Sequence, residues 1–185
     1  MASVLTELRA VSPPRALAPW DAHQVAERQA ARLLRRHGVT TPPVPEEVIE
    51  SLPYVRVRYV KARTLAASAR WSVKQLKWVI LVNRDDTLGR RRFSLAHEFK
   101  HVVDHRLKAR LYRDRRQTSA YLQAERAADV FAAALLMPKP WVKRAFYDEG
   151  IRDERVLARH FGVSVAAMRV RIDQLGLLEP EAVAA

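Results

Sequence analysis

The sequence predicts an α+β fold in which a small three-stranded sheet, antiparallel or mixed, packs beside a predominantly helical bundle. Hydrophobic residues make up 49% of the 185 residues, which is enough to form a buried core. Strand patterns occupy one stretch, from YVRVRYVK to KWVILVN, and helical spacing of apolar residues dominates before and after it. The sheet is therefore expected to be small and the remainder helical.

The chain divides into four predicted parts. Residues 1–20 contain three prolines and no clear period, so we expect a flexible N-terminal arm. Residues 21–150 are expected to form the main domain. Residues 151–178 are expected to form a C-terminal helix pair packed on the same core, and residues 179–185 a frayed tail.

The main domain is predicted to begin with a helix and to continue into the sheet. Apolar residues on one face predict a helix from Asp21, which can cap it, to His37, just before Gly38. A short helix is expected to begin at Pro45. YVRVRYVK alternates like a half-buried strand, and the short spacer between AASARWSV and KWVILVN predicts a hairpin. WVILV is apolar throughout, so this strand should be buried on both faces.

Helices are predicted after the sheet. RRRFSLAHEFKHVVDHRL has apolar residues at helical spacing, and TSAYLQAERAADVFAAALLM forms a further helix capped by Thr118 or Ser119. The segment MPKP ends that helix, and another is expected near residues 140–148. DERVLARHFGVSVAAMRVRIDQLGLL predicts two short helices joined at Gly162, with Ser164 capping the second.

Composition limits the classes of function. The net charge of +13, from 33 basic and 20 acidic residues, predicts attraction to polyanions such as nucleic acid or acidic protein surfaces. The absence of cysteine excludes disulfides, thiolate zinc sites and a cysteine nucleophile. There is no run of about 18 apolar residues and no signal-peptide pattern, so we expect a cytoplasmic protein without a membrane partner.

The pattern with the most specific chemistry is HEFKH, residues 97–101. Residues four apart share one face of a helix, so His97 and His101 can direct their imidazoles at one metal ion. Glu98 lies at the edge of that face, where it can take a proton from a water on the metal. Zinc lowers the pKa of such a water toward neutrality. HExxH alone also occurs in solvated helices with incidental histidines, but the apolar flanks predict a partly buried helix.

A catalytic zinc site of this kind needs a third protein ligand, and four candidates lie downstream. His105 lies about 12 Å along the helix axis from His97, too far for both to bind one ion. Asp104 faces partly away from the histidines. Glu125 and Asp129 in ERAAD share one helical face, so one can bind the metal and the other can accept a hydrogen bond from a ligand histidine. We favour Glu125 as the ligand and Asp129 as the hydrogen-bond acceptor.

Two blocks of the sequence resemble the ImmA/IrrE family of zinc metallopeptidases, which are HExxH, gluzincin-like enzymes. In the family, an arginine–phenylalanine pair precedes a helix with the pattern LAHE..H, and another histidine follows four residues later; RRRFSLAHEFKHVVDH is similar to this pattern. ERAADVFAAALLMP is similar to the family's second pattern, E..A(D/N).FA..LLMP. The matching positions are Arg92, Phe93, Leu95, Ala96, His97, Glu98, His101, His105, Glu125, Ala128, Asp129, Phe131, Ala132, Leu135, Leu136, Met137 and Pro138. The resemblance extends over residues 25–178, including WVILVN and FGVS. Lys100 stands where a small residue is frequent, and we expect it to alter the charge at the rim of the site.

The resemblance implies a zincin-like metallopeptidase domain over residues 21–150. It implies an intracellular zinc endopeptidase of narrow specificity, from a bacterium or phage. The implied partner is a helix-turn-helix transcriptional repressor, whose cleavage or inactivation derepresses phage, mobile-element or stress genes.

The resemblance also implies roles for individual residues. His97, His101 and Glu125 would bind Zn2+, and Glu98 would be the general base. The group that stabilises the oxyanion stays open, and a nearby arginine could serve. Two further residues are candidates for contacts around the ligands or with the substrate: His105 and Tyr121.

The C-terminal helix pair supports a competing interpretation. LARHFGVSVAAMRVRIDQLG is similar to a DNA-binding helix-turn-helix, with Arg169 and Arg171 on its second helix as candidate contacts to nucleic acid or a partner. Together with the net charge, this makes a DNA-binding regulator the main alternative, although nucleic acid is the less favoured partner. The pair could instead close the core or dock the repressor substrate. A zinc-bearing but non-catalytic sensor is a third alternative.

Overall fold

The structure is a computed structural model that describes residues 3–177. The α+β prediction is confirmed, since this part of the chain contains nine helices and one three-stranded mixed sheet. The elements, in chain order, are α1 (Val4–Arg9), α2 (Pro19–Arg36), α3 (Glu47–Glu50), β1 (Val55–Val60), β2 (Ala67–Ser72), β3 (Lys77–Asn83), α4 (Leu88–Asp104), α5 (Lys108–Leu111), α6 (Ala120–Leu136), α7 (Lys139–Tyr147), α8 (Glu154–Phe161) and α9 (Val165–Gln174). The tail predicted at residues 179–185 lies outside the described residues.

The sheet has the order β1-β3-β2, with β1 parallel and β2 antiparallel to the central β3. The predicted hairpin of β2 and β3 is confirmed. Because β3 is central and α4 covers one face, Ile80 and Val82 are buried. On the other face Val79 is buried but Leu81 is only half-buried, so the prediction of burial on both faces holds except at Leu81. β2 is an edge strand in which Ala69 lies opposite Ile80 and Trp71 opposite Trp78.

The prediction of an arm without regular structure over residues 1–20 is wrong for its described part. Ser3 caps α1 by accepting a hydrogen bond from the Thr6 amide, and α2 already begins at Pro19. Leu5 and Leu8, three residues apart, are buried, so this short helix packs on the core. The signal was a Ser cap followed by helically spaced leucines, which the prolines obscured.

The core lies where α4 and α6 pack together, with α2 behind α6. Phe99 of α4 and Phe131 of α6 are both fully buried, and their ring centroids are 6.1 Å apart. Small residues such as Ala26 and Ala30 let α2 approach α6 closely. This packing fixes the two helices that carry the predicted metal ligands. Among residues 3–177, no helix combines the length and hydropathy needed to cross a membrane.

Arg92 connects the metal-site helix to the C-terminal helix pair. Its buried guanidinium donates hydrogen bonds to the carbonyl oxygens of Phe161, Gly162 and Val44. The turn at Gly162 has a φ of +63°, a conformation that favours glycine. Arg92, the last arginine of RRRF, therefore holds the turn between α8 and α9 against α4.

The expectation that Lys100 alters the charge at the rim of the site is wrong, because this residue is buried. Its side chain is 1% exposed, and its Nζ lies 2.6 Å from Asp104 Oδ2 and 2.8 Å from Gln29 Oε1. Tyr112 donates a further hydrogen bond to Asp104 Oδ2. The spacing of four residues along α4 pairs the lysine with Asp104 on the inner face, where both charges are compensated.

Replacing Lys100 with methionine should destabilise the fold by about 3–5 kcal/mol, because it leaves the buried Asp104 carboxylate without its cation. The double variant Lys100→Met/Asp104→Leu should recover most of this loss, since both charges are then removed. Urea unfolding measures the two free energies. A single variant as stable as the unmodified protein would show that the pair contributes nothing.

Candidate metal centre

Three predicted ligands converge at one point between α4 and α6. His97 Nε2 and His101 Nε2 are 3.1 Å apart. The carboxylate oxygens of Glu125 lie 3.4 Å from His97 Nε2 and 3.3 Å from His101 Nε2. The two histidines are one turn apart on α4, and Glu125 approaches from the facing side of α6. Within residues 3–177, these three form a group of side chains able to hold a metal ion.

The geometry of this group fits zinc. Ligand atoms 2.0–2.1 Å from a tetrahedral zinc ion are about 3.3 Å from one another, and the three separations here are 3.1 to 3.4 Å. Two imidazoles and one carboxylate form a common ligand set of catalytic zinc. The three side chains are 18% to 30% exposed, so the space between them is accessible to water or substrate.

Asp129 orients the first histidine. Its Oδ1 lies 2.9 Å from His97 Nδ1, so Nδ1 acts as the donor and Nε2 keeps its lone pair for a metal. Burial lowers the pKa of His97, but the Asp129 hydrogen bond and the neighbouring carboxylates outweigh it, and the pKa is raised. Burial, followed by the charge of His97, lowers the pKa of His101. One carboxylate thus fixes the tautomer of one ligand.

Replacing Asp129 with alanine should weaken zinc binding about 10–100-fold, because His97 loses the acceptor that orients its ring. Competition with a chromogenic chelator measures the affinity. Asp148→Ala, at an exposed aspartate beyond the end of α7, controls for the loss of one negative charge. Equal affinities of the two variants would exclude a role for Asp129 in metal binding.

Glu98 lies beside the ligand group and is not part of it. Its carboxylate accepts a hydrogen bond from the Ala69 amide of the edge strand β2, and burial raises its pKa. It lines a cavity of about 300 Å³ together with His97, Asp129 and Ala67. Glu98 can therefore act on a molecule held between the metal group and β2.

His105 and Tyr121 do not join this group. The ring of His105 packs edge-to-face on Trp78, with centroids 4.7 Å apart. Tyr121 lies one turn before Glu125 on α6, is 61% exposed, and has its ring 6.0 Å from Lys108 Nζ. Tyr121 is therefore on the surface of α6, while His105 lines a different cavity from Glu98.

The two arginines of α9 differ in accessibility. Arg171 is 4% exposed and its Nε donates to the Met137 carbonyl oxygen, 3.1 Å away. The expectation that Arg171 contacts nucleic acid or a partner is therefore wrong, because helix packing turns it inward. Arg169 is exposed but forms an ion pair with Glu154, its Nε lying 2.8 Å from the carboxylate.

Sequence patterns missed the surroundings of the site. A cavity of about 480 Å³ adjoins the one at Glu98, shares Arg90, Phe93 and Asp129 with it, and reaches Val170 of α9. Another, of about 460 Å³, lies where β2 ends. Both cavities form between segments that are distant in the sequence, so sequence patterns do not predict them. Val170 and Trp71, which line them, are exposed apolar residues.

The His–His–Glu group is a ligand set that zinc metallopeptidases use. The family model Peptidase_M78, the IrrE N-terminal-like domain, matches residues 52–173, more than half of the chain. The chain belongs to this family, which confirms the resemblance in the sequence.

A solved structure of a Mycobacterium tuberculosis transcriptional regulator is similar, with a TM-score of 0.63 and 20% sequence identity. The match covers 93% of this chain and 52% of that one, so the chain spans about half the length of that regulator. At this identity the likeness supports the fold alone. No match was found among curated proteins.

Proposed function

We propose that the protein is a zinc-dependent endopeptidase of narrow specificity. The observation that carries this proposal is the convergence of His97, His101 and Glu125, with the Glu98 carboxylate beside them. Membership of a metallopeptidase family supports it. The ligand set favours zinc as the metal.

A bound zinc ion would supply a Lewis acid that polarises the scissile carbonyl and makes a water molecule more acidic. His97, His101 and Glu125 would hold the metal, and Asp129 fixes the His97 tautomer. As the oxygen of the attacking water bonds to the carbonyl carbon of the scissile bond, Glu98 accepts a proton from that water. Glu98 then delivers that proton to the leaving nitrogen as the C–N bond breaks.

The edge strand β2 offers a binding surface for an extended peptide. The Ala66 carbonyl accepts from the Asn83 amide of β3 and so points inward, whereas the Ala69 amide points outward to Glu98. Because backbone groups alternate along a strand, those of Ala67, Ala69 and Trp71 face away from β3. A substrate segment can add to this edge as a further strand and lie across the metal group.

The proposed substrate is a helix-turn-helix transcriptional repressor in the bacterial or phage cytoplasm, whose cleavage would derepress phage, mobile-element or stress genes. Membership of the IrrE N-terminal-like peptidase family supports this assignment. The net charge of +13 favours an acidic surface on the partner.

The test is digestion of a proteome-derived peptide library and of candidate intact repressors by the zinc-loaded protein. Mass spectrometry identifies the new termini. We expect a small set of cleavage sites that disappears with a chelator and returns with added zinc. A zinc-loaded protein that cleaves neither library nor repressor would contradict the peptidase function.

The DNA-binding alternative receives less support. Arg171 is buried and Arg169 is paired with Glu154, so neither candidate contact of α9 offers a free cation. No described contact specifically favours a non-catalytic sensor. Strongly salt-dependent DNA binding by the protein would favour the DNA-binding function.

A further inference from the structure

An aromatic and basic cavity of about 460 Å³ lies at the C-terminal end of α4. Trp71 and Tyr54 contribute rings that are 45% and 52% exposed, which is unusual for side chains of this size. Trp78 forms the inner wall, in edge-to-face contact with both Trp71 and His105. The cavity thus has apolar walls on which the carbon atoms of a ligand can pack.

The charges that line this cavity are all positive. Arg9 and Arg106 contribute guanidinium groups, and no carboxylate is among its described lining residues. Asp104, at the end of α4, is occupied in its buried contacts with Lys100 and Tyr112. The cavity therefore favours an anion and disfavours a cation.

Two hydrogen bonds to backbone carbonyl oxygens fix the position of the Arg9 guanidinium. Its Nε and Nη2 donate to the carbonyl oxygens of Val103 and Val102, at 2.8 and 3.1 Å, which leaves Nη1 available to a ligand. Burial, and then the charge of Arg106, lower the pKa of Arg9, and the opposing effect of the nearby Asp104 carboxylate does not outweigh them. A carboxylate between the two guanidinium groups would relieve this repulsion.

The cavity lies further along α4 and β2 than the metal centre, because His105 and Trp71 line it. His105 is four residues beyond His101 on α4, about one helical turn. Trp71 is two residues beyond Ala69, about 6.6 Å along the strand. Ala67, Ala69 and Trp71 alternate onto the side of β2 that faces α4. A peptide extended along β2 from the metal group would reach this cavity with its second or third residue.

We propose that this cavity binds an aspartate or glutamate side chain of the substrate, two or three residues from the scissile bond, through Arg9 and Arg106. Trp71 packs against the methylene groups of that side chain. This inference rests on the proposed peptidase function and narrows its substrate class to segments with an acidic residue at one side of the cleaved bond.

The experiment compares peptide-library cleavage by the zinc-loaded unmodified protein, Arg106→Glu and Arg28→Glu. Arg28 is an exposed arginine of α2 outside this cavity, so its variant controls for the same change of net charge. We expect an acidic residue to be enriched roughly tenfold at one position two or three residues from the cleaved bond, the effect of one charge-assisted hydrogen bond. Arg106→Glu should lose this preference and gain one for lysine or arginine, whereas Arg28→Glu should keep it.

The possible results distinguish the proposed acidic-residue site from the peptidase function itself. Cleavage without an acidic preference, or with one that Arg106→Glu leaves unchanged, overturns this inference and leaves the peptidase function intact. No cleavage by the unmodified protein overturns the peptidase function and this inference with it. Zinc analysis of each variant verifies that a change in preference does not arise from loss of the metal.

Discussion

Replacing Glu98 with glutamine is expected to abolish peptide cleavage while the protein keeps about one zinc ion per chain. The amide has nearly the same shape as the carboxylate but cannot accept the proton of the attacking water. General-base catalysis typically contributes 10²–10⁴-fold to the rate, so the variant should lose at least about 100-fold in kcat. Because Glu98 is outside the ligand group, metal binding should be unchanged.

The measurement is kcat on a peptide cleaved by the unmodified protein, with zinc determined in parallel by atomic emission. Glu149→Gln, at an exposed glutamate after α7, is the matched control and should retain full activity. If Glu98→Gln still cleaves at a rate within a few-fold of the unmodified protein, the proposed mechanism is wrong. If it loses zinc, Glu98 has a role in the metal site that its position does not indicate.

Replacing Glu125 with alanine is expected to remove the metal from the purified protein. The variant leaves two imidazoles on one helix, and α6 then supplies no ligand. The loss of zinc affinity should exceed the 10–100-fold expected for Asp129→Ala, because Glu125 would contact the metal itself. Activity should disappear together with the zinc.

Zinc content after dialysis against a weak chelator measures this effect, and circular dichroism verifies that the helices remain. Glu149→Ala serves as the control for removal of a glutamate. Retention of a full equivalent of zinc by Glu125→Ala would show that another residue completes the site. It would also remove the main geometric support for the peptidase proposal.

The ligand group could be predicted because its determinants are local. His97 and His101 are four residues apart on one helix, and Glu125 and Asp129 are four apart on another. The resemblance then related the two helices to one another, which spacing alone cannot do. The central position of β3 was likewise predictable from five consecutive apolar residues.

The errors concern residues whose environment depends on distant segments. Lys100 is buried because Gln29 and Tyr112 approach it from other parts of the chain, and Arg171 turns inward to the end of α6. A helical pattern gives the face on which a residue lies, and the partner opposite that face comes from the tertiary fold.

The contacts of Arg92 bear on how far the chain can be shortened. Its guanidinium is buried and donates to carbonyl groups of segments before and after α4 in the chain, at Val44 and at the turn between α8 and α9. Truncation after α7 would remove the two acceptors of that turn together with the helices that bury the guanidinium. We therefore expect α8 and α9 to be needed for the stability of α4, so a shortened protein should retain them.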